Sequence, residues 1–155
     1  MTQLKTKIYF VIAFSFLIIS TTTVAASTII VDEGEKGNYP SIQQAVNNSN
    51  DGDTIIVNKG VYVENVDVDK KLTIISKSGN PGDTIIQALN PNDHIFHVTA
   101  DNVTISGFNV TGTNKSGIYY TGSDGIIAGN ELFSDKYGIY LEKAENITIE
   151  NNNAS

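Results

Sequence analysis

The chain has 155 residues, enough for one domain with a sizeable core. It contains no cysteine, which excludes a disulfide framework, a thiol nucleophile and a thiolate metal site. The formal net charge is −7 and all ten basic residues are lysines, which argues against nucleic-acid binding because phosphate contacts need a basic surface.

The N-terminal segment, 1–26, has the pattern of a secretory signal peptide. Lys5 and Lys7 precede an apolar run at 8–19, and small residues follow as far as Ala26. This order predicts cleavage after Ala26 and a mature chain, 27–155, that is secreted or displayed on the cell surface. The alternative is an uncleaved anchor helix, but the apolar run is shorter than the ~20 residues that a membrane span needs. We therefore expect no membrane span in the mature chain.

The mature chain begins with a β-branched strand at 28–31 and one short helix at about 41–47. Ile42, Ala45 and Val46 fall on one face of this helix. Pro40 stands at its start, where the missing N–H of proline costs nothing. Asparagines and Asp51-Gly52 then end the helix in a turn.

Short apolar segments separated by Gly, Asn or Asp follow. They predict strands at 54–57, 61–63, 66–68, 72–75, 84–87, 95–98, 103–105, 108–110, 118–120, 126–128, 132–133, 139–141 and 147–149. Strands this short do not build an ordinary sandwich. They can build a coil of three strands that stacks on itself.

A sequence repeat of constant period gives the register of these coils. Segment 102–110 aligns with 124–132 and with 146–154, the equal spacing of a solenoid. The alignment predicts two interior ladders, Ile105 with Ile127 and Ile149, and Val110 with Leu132 and Ala154. With coils ~4.8 Å apart, four full coils and a partial one would form a rod roughly 20 Å long.

The same alignment places turn residues in common positions. One position holds Gly107, Gly129 and Asn151, as expected where the backbone needs positive φ. The other holds Asn102, Asp124 and Asn146, for which we predict an internal ladder of side chains hydrogen-bonded along the axis.

This pattern resembles the right-handed parallel β-helix of the pectin-lyase-like superfamily, most closely its NosD-type and archaeal surface-protein members. Segments 41–46, 51–57 and 60–64 look like the family's N-terminal cap, in which a short helix covers the first coil. The resemblance covers 27–155 and implies an all-β, right-handed, single-stranded parallel β-helix with a short N-terminal capping helix. It implies no single function, because this fold hosts many activities.

The chain stops at 151–155, in the middle of a repeat. The last coil would then expose Ile147 and Ile149. We interpret the chain as a fragment of a longer protein, or as one whose last coil is covered by a partner.

No catalytic residue and no cofactor are predicted. Pectate lyases and pectin methylesterases in the superfamily use an arginine, which this chain lacks, and polygalacturonases use an aspartate cluster. Hydrolysis needs two carboxyl groups that face each other across the bond. The closest carboxyl groups in the sequence are Asp51 with Asp53 and Asp67 with Asp69, and they fit a turn and a solvated strand face.

No metal site is predicted either. His94 and His97 are three positions apart, so on a strand they would point to opposite faces unless a turn intervened. NosD-type proteins are linked to the maturation of copper enzymes, but these residues do not resemble a dedicated copper site.

Tyr119 and Tyr140 are the candidate ligand-binding residues. Strand alternation directs Ile118, Tyr120 and their counterparts inward, so Tyr119 and Tyr140 face outward on successive coils. Stacked tyrosines can form a flat platform for sugar rings. The alternative is a cross-strand aromatic pair that only stabilises the sheet.

Six glycosylation sequons lie in the mature chain. Asn114, in the turn at 112–116, is the most accessible candidate, followed by Asn47 and Asn109. Asn102 and Asn146 are less suitable because the repeat assigns them to the internal ladder.

These observations favour a secreted or cell-surface β-helix module that is structural or contacts carbohydrate and is non-catalytic as it stands. Its partners would be polysaccharide or other cell-surface components. The alternatives are a fragment of a polysaccharide lyase or hydrolase whose active coil lies beyond Ser155, and a NosD-type accessory protein related to copper.

Overall fold

The computed structural model describes residues 25–34, 36–134 and 136–155. The predicted signal peptide falls on 1–26, nearly all of it outside the described residues. Within those three ranges, no helix is both long and apolar enough to cross a membrane.

The described chain is almost entirely short strands. In chain order the elements are β1 (Thr28–Val31), α1 (Ile42–Asn47), β2 (Thr54–Val57), β3 (Gly60–Val63), β4 (Val66–Val68), β5 (Thr73–Ser76), a 3₁₀ turn (Pro81–Asp83), β6 (Thr84–Gln87), β7 (Phe96–Val98), β8 (Thr104–Ser106), β9 (Asn109–Thr113), β10 (Ser116–Tyr120), β11 (Ile126–Ala128), β12 (Glu131–Ser134), β13 (Tyr137–Leu141), β14 (Thr148–Glu150) and β15 (Asn153–Ala154). Most predicted strands are present, with slightly displaced ends.

The strands form three parallel sheets that wind into a solenoid. The first sheet has the order β1-β2-β5-β8-β11-β14, the second β3-β6-β9-β12-β15 and the third β4-β7-β10-β13. Each of the four complete coils, which begin at β2, β5, β8 and β11, gives one strand to each sheet. The predicted parallel β-helix is confirmed, and β1 adds a rung before the first complete coil. Six rungs in the first sheet span about 24 Å.

Both predicted interior ladders are present. Ile105 is in register with Ile127, and Ile127 with Ile149; Val110, Leu132 and Ala154 are aligned in the same way. Ile105, Ile127, Val110 and Leu132 are fully buried, whereas Ile149 on the last rung is 47% exposed. Each fully buried aliphatic side chain stabilises the fold by about 1.5–3 kcal/mol.

The turn positions of the repeat have the predicted backbone. Gly107, Gly129 and Asn151 have φ of 82°, 62° and 55°. The second set, Asn102, Asp124 and Asn146, also has positive φ but is exposed, so the predicted internal ladder there is wrong. These residues turn the chain into the first sheet with their side chains in solvent, where Asn146 Nδ2 donates to Asp124 Oδ1 at 3.1 Å.

The interior amide ladder is formed by Asn130 and Asn152, which follow the glycine position. Asn130 is 1% exposed. Its Oδ1 accepts from the Phe108 N–H at 3.0 Å, and its Nδ2 donates to the Ile105 carbonyl and to Asn152 Oδ1 at 3.1 and 3.0 Å. Asn152 repeats the pattern, since its Oδ1 accepts from the Asn130 N–H and its Nδ2 donates to the Ile127 carbonyl. The ladder ties three successive coils at one corner.

Helix α1 covers the first coils. Ile42, Ala45 and Val46 are fully buried on the predicted face, and the helix packs on β1, β2 and β4. Glu64, between β3 and β4, reaches the helix start, where its two carboxylate oxygens accept from the N–H groups of Ile42 and Gln43 at 2.9 and 2.8 Å. These bonds satisfy two backbone donors that no helix can satisfy internally.

Candidate functional site: an aromatic face on the third sheet

On the outer side of the third sheet, one column of residues in register is polar or aromatic on all four strands. In register order it holds Asp67, His97, Tyr119 and Tyr140, on β4, β7, β10 and β13. The inward neighbours on β7 and β10, such as Phe96 and Tyr120, are fully buried. Tyr119 and Tyr140 therefore occupy the outward positions that strand alternation predicts.

The rings of this column stack on one another. The Tyr119 and Tyr140 ring centres are 5.7 Å apart at an interplanar angle of 14°, and those of His97 and Tyr119 are 5.2 Å apart at 29°. His94 stacks on Tyr119 at 4.4 Å, and Tyr137 on Tyr140 at 5.1 Å. We call these five residues the aromatic face.

This stacking differs from a flat sugar platform at Tyr119. Its ring contacts imidazoles of one neighbouring coil and the phenol of the other. Tyr119 is therefore only partly exposed, and its hydroxyl donates to the Glu142 carboxylate. Tyr140 and Tyr137 are more open, with 40% and 45% of their surface exposed.

The two histidines lie on the same side of the molecule. Strand β7 begins at Phe96, so His94 belongs to the corner before the strand and the alternation argument does not reach it. The His94 and His97 ring centres are 6.2 Å apart. His94 Nδ1 accepts a hydrogen bond from the Ser116 N–H at 3.2 Å, and His97 Nδ1 lies 3.3 Å from Asp67 Oδ1.

Glycines shape this corner on the next two coils. A Cβ on Gly117 would lie 2.9 Å from the Gly138 carbonyl oxygen, and a Cβ on Gly138 would lie 2.7 Å from the Ala154 Cβ. The backbone at Gly117 and Gly138 is therefore packed too closely against its neighbours to accept a side chain. Tyr119 and Tyr140 follow these glycines by two residues and face outward.

A groove of about 210 Å³ runs beside the aromatic face. The described residues that line it are His94, Lys115, Ser116, Tyr119, Lys136, Tyr137 and Tyr140. They bring two ammonium groups and no carboxylate. The Lys136 Nζ lies 5.4 Å from the Tyr137 ring centre, within range of a cation–π interaction.

Titratable groups around the groove have shifted pKa values. The Tyr119 hydroxyl donates to the Glu142 carboxylate, and this hydrogen bond raises the pKa of Tyr119. Burial lowers the pKa of the His94 imidazole; the charge of Asp93 opposes this shift, and the charges of His97 and Lys115 add to it. Both shifts favour the uncharged form, so at neutral pH Tyr119 is a phenol and the His94 imidazole is neutral.

The acidic residues singled out in the sequence have structural or solvated positions. Asp53 is buried, and its two oxygens accept from the N–H groups of Ser27 and Asn50 at 2.7 and 2.8 Å. Asp51 is exposed and accepts from the Lys71 N–H at 3.0 Å. Asp67 and Asp69 are exposed, as strand alternation predicts.

The glycosylation candidates differ in accessibility. Asn114 is exposed in the turn between β9 and β10. Asn47 is exposed at the end of α1, where its Oδ1 accepts from Gln43 Nε2 at 2.8 Å. Asn109 is half-buried on β9, with its Nδ2 3.5 Å from Glu131 Oε2.

Comparison with known proteins identifies relatives of this chain. The model of a family described as periplasmic copper-binding protein (NosD) matches residues 46–155. The chain is 30% identical over 123 residues to a cell surface glycoprotein of Methanothermus fervidus, a match that covers 78% of this chain and 20% of the relative. The chain thus spans about a fifth of the length of that relative. No solved structure matches.

These matches agree with the architecture described above. The family is described as periplasmic and the relative as a cell-surface protein, so both support a location in the cell envelope or outside the cell. The family match covers well over half of the chain and includes all four complete coils. The chain therefore belongs to the NosD family.

Proposed function

We propose that this chain is a non-catalytic structural module of the cell surface whose aromatic face contacts carbohydrate. The observation that carries the proposal is the stack of Tyr119 and Tyr140 beside a lysine-lined groove on the outward side of the third sheet. Tyrosine suits such a contact because its ring is apolar while its hydroxyl exchanges hydrogen bonds with sugar hydroxyls.

The structural part of the proposal rests on how the buried polar groups are used. Asp53 and Glu64 direct both carboxylate oxygens at backbone N–H groups, and Asn130 links neighbouring coils. Buried groups that are fully hydrogen-bonded make a core rigid and specific. These side chains hold the coils in register, and none of them is left to act on a substrate.

The described residues do not fit a copper centre, although the family is described as copper-binding. They contain no group of three or more His, Cys, Asp or Glu placed to hold a metal ion. The Ser116 N–H donates to Nδ1 of His94, which places the proton of the neutral imidazole on Nε2. Coordination by His94 would require giving up that hydrogen bond, so we derive no copper chemistry for this chain.

Glycosylation of Asn114 is part of the proposal. The sequon is exposed in a turn, and the similar protein from Methanothermus fervidus is named a glycoprotein. Mass spectrometry of protein from its native host would find a glycan on Asn114. Bare Asn114 in that material would reject the modification without affecting the rest of the proposal.

Retention on insoluble polysaccharides tests the carbohydrate contact. The double variant Tyr119→Ala with Tyr140→Ala is expected to lose retention while its far-UV circular dichroism stays the same. Phe133→Ala is the matched control, because Phe133 on the second sheet has an exposed fraction of 41%, close to the 40% of Tyr140. Equal retention of the double variant and the control would reject the contact.

The variant Tyr119→Phe separates the ring from its hydroxyl. It keeps the stack with His97 and Tyr140 but removes the hydrogen bond to Glu142. If the hydroxyl contacts sugar, retention should weaken with little change in stability. Full retention by Tyr119→Phe would exclude the Tyr119 hydroxyl and assign the contact to the rings of the aromatic face.

A further inference from the structure

We infer that the carbohydrate bound at the aromatic face is anionic, and that Lys115 and Lys136 hold its carboxylate, sulfate or phosphate group in the adjoining groove. The inference rests on the proposed function, because it names the class of sugar that the same site would take.

The two lysines occupy equivalent places on successive coils. Lys115 directly precedes β10, and Lys136 directly precedes β13. The strands that follow are paired from Ser116 with Tyr137 onward, and the Tyr137 N–H donates to the Lys115 carbonyl at 3.3 Å. Both side chains line the same groove, and their backbone positions are about one coil spacing, ~4.8 Å, apart.

In the part of the chain that the structure describes, no carboxylate forms a salt bridge with Lys115 or Lys136. Like charges on neighbouring strands destabilise a sheet unless a counter-charge lies between them. Three described carboxylates beside this sheet contact the aromatic face instead: Asp67 lies against His97, Glu142 accepts from the Tyr119 hydroxyl, and Asp93 accepts from the His94 N–H. An anionic group in the groove would relieve the repulsion between the lysines, whereas a neutral sugar would not.

The size of the groove restricts the ligand. Its volume of about 210 Å³ is below the ~300–1,000 Å³ of pockets that enclose drug-sized molecules. It suits one substituted sugar ring of a chain that continues over Tyr140 and Tyr137.

Three forms of one polysaccharide test the inference. Neutral dextran, carboxymethyl dextran and dextran sulfate share a backbone and differ in charged group, and binding is measured by affinity electrophoresis at fixed ionic strength. Both anionic forms are expected to bind about tenfold more tightly than neutral dextran. The anionic form that binds more tightly identifies the preferred charged group, carboxylate or sulfate. Either preference supports the inference.

Charge variants distinguish binding of the anionic group by the groove lysines from attraction of the polysaccharide to the charge of the whole chain. Lys115→Gln with Lys136→Gln should remove the tenfold preference for the anionic forms over neutral dextran. Lys59→Gln with Lys77→Gln is the matched control, since these exposed lysines line a different groove and the change in net charge is the same. The control variant should keep the preference.

Three results would overturn the inference. If both double variants lost the preference for anionic dextran equally, the preference would come from the overall charge of the chain and not from the groove. Equal binding of neutral and anionic dextrans by the unaltered chain would leave the carbohydrate contact standing and remove only the anionic preference. Binding of free sulfate or acetate with no binding of any dextran would reject both the sugar class and the proposed function.

Discussion

Replacement of Asn130 by alanine tests the interior amide ladder. In the native protein Asn130 Oδ1 accepts from the N–H of Phe108, which is fully buried. Its Nδ2 donates to the Ile105 carbonyl and to Asn152 Oδ1. Asn130→Ala leaves the Phe108 N–H without an acceptor and removes both hydrogen bonds made by Nδ2.

The expected loss follows from these contacts. A buried N–H group without a partner costs about 1–3 kcal/mol, and each hydrogen bond lost elsewhere costs about 0.5–1.5 kcal/mol. We expect the free energy of unfolding to fall by about 3–4 kcal/mol. For a domain of this size that corresponds to a decrease in Tm of roughly 10 °C.

Urea unfolding followed by far-UV circular dichroism measures this loss. Asn114→Ala is the control, because Asn114 is exposed in a turn and surface substitutions of this kind change stability by about 0.5 kcal/mol or less. If Asn130→Ala were no less stable than Asn114→Ala, the ladder would contribute nothing to the fold and the reasoning would be refuted.

Three further predictions concern the cap, acid stability and close packing. Glu64→Ala should lower the free energy of unfolding by about 2–3 kcal/mol, because two N–H groups of α1 lose their acceptor; Glu64→Gln keeps one amide oxygen and should lose less, and equal Tm values for the two variants would contradict this. The hydrogen bonds from Asn50 and Ser27 hold the pKa of Asp53 below its ordinary 3.8. Their contribution is therefore fully present above about pH 4 and is lost as pH falls through the lower folded-state pKa. Asp53→Asn should flatten the dependence of unfolding free energy on pH below about pH 4, and an unchanged slope would count against the assignment. Gly122→Ala would drive a Cβ into the backbone carbonyl oxygen of Ala100, whereas Gly82→Ala meets nothing closer than 3.7 Å. The first variant should unfold at a Tm lower by about 10 °C or more and the second near the native Tm, and similar Tm values would be the contrary result.

The register of the fold was predictable only where the coils have equal length. Ile105, Ile127 and Ile149 are evenly spaced in the sequence, and this constant interval made their ladder visible. Earlier in the same sheet Ile55 pairs with Ile74 after a shorter interval, and Ile74 with Ile105 after a longer one. The strands there are evident from their β-branched residues, but turns of variable length conceal which residues are neighbours.

The position of the interior asparagine was not predictable from spacing alone. Asn102 and Asn130 both belong to evenly spaced series, and both lie at or beside a residue with positive φ. Their surroundings differ because the chain turns toward solvent at Asn102 and passes inside the corner at Asn130. The sequence is rich in asparagine, and a pattern of residue types does not distinguish the two sides of a turn.

The candidate site was predictable in part for a related reason. Alternation within a strand is sufficient to direct Tyr119 and Tyr140 outward. His94, Lys115 and Lys136 lie in corners, where alternation does not apply and side-chain direction depends on the path of the turn. Aligning 94–98 with 116–120 would have placed His97 beside Tyr119, and this is the signal that sequence reasoning missed.

Because the later coils are equally spaced in the sequence, the number of coils can change without a change in the cross-section of the rod. Asp124 and Asn146 occupy equivalent positions of the repeat, and Ser123 and Glu145 precede them. Excision of 124–145 would therefore join Ser123 to Asn146 and keep the remaining strands in register. The product would be a shorter rod of the same cross-section. A lineage carrying such coils can therefore lengthen or shorten its surface proteins by duplicating or losing whole-coil segments of the gene, without passing through a misfolded ancestor.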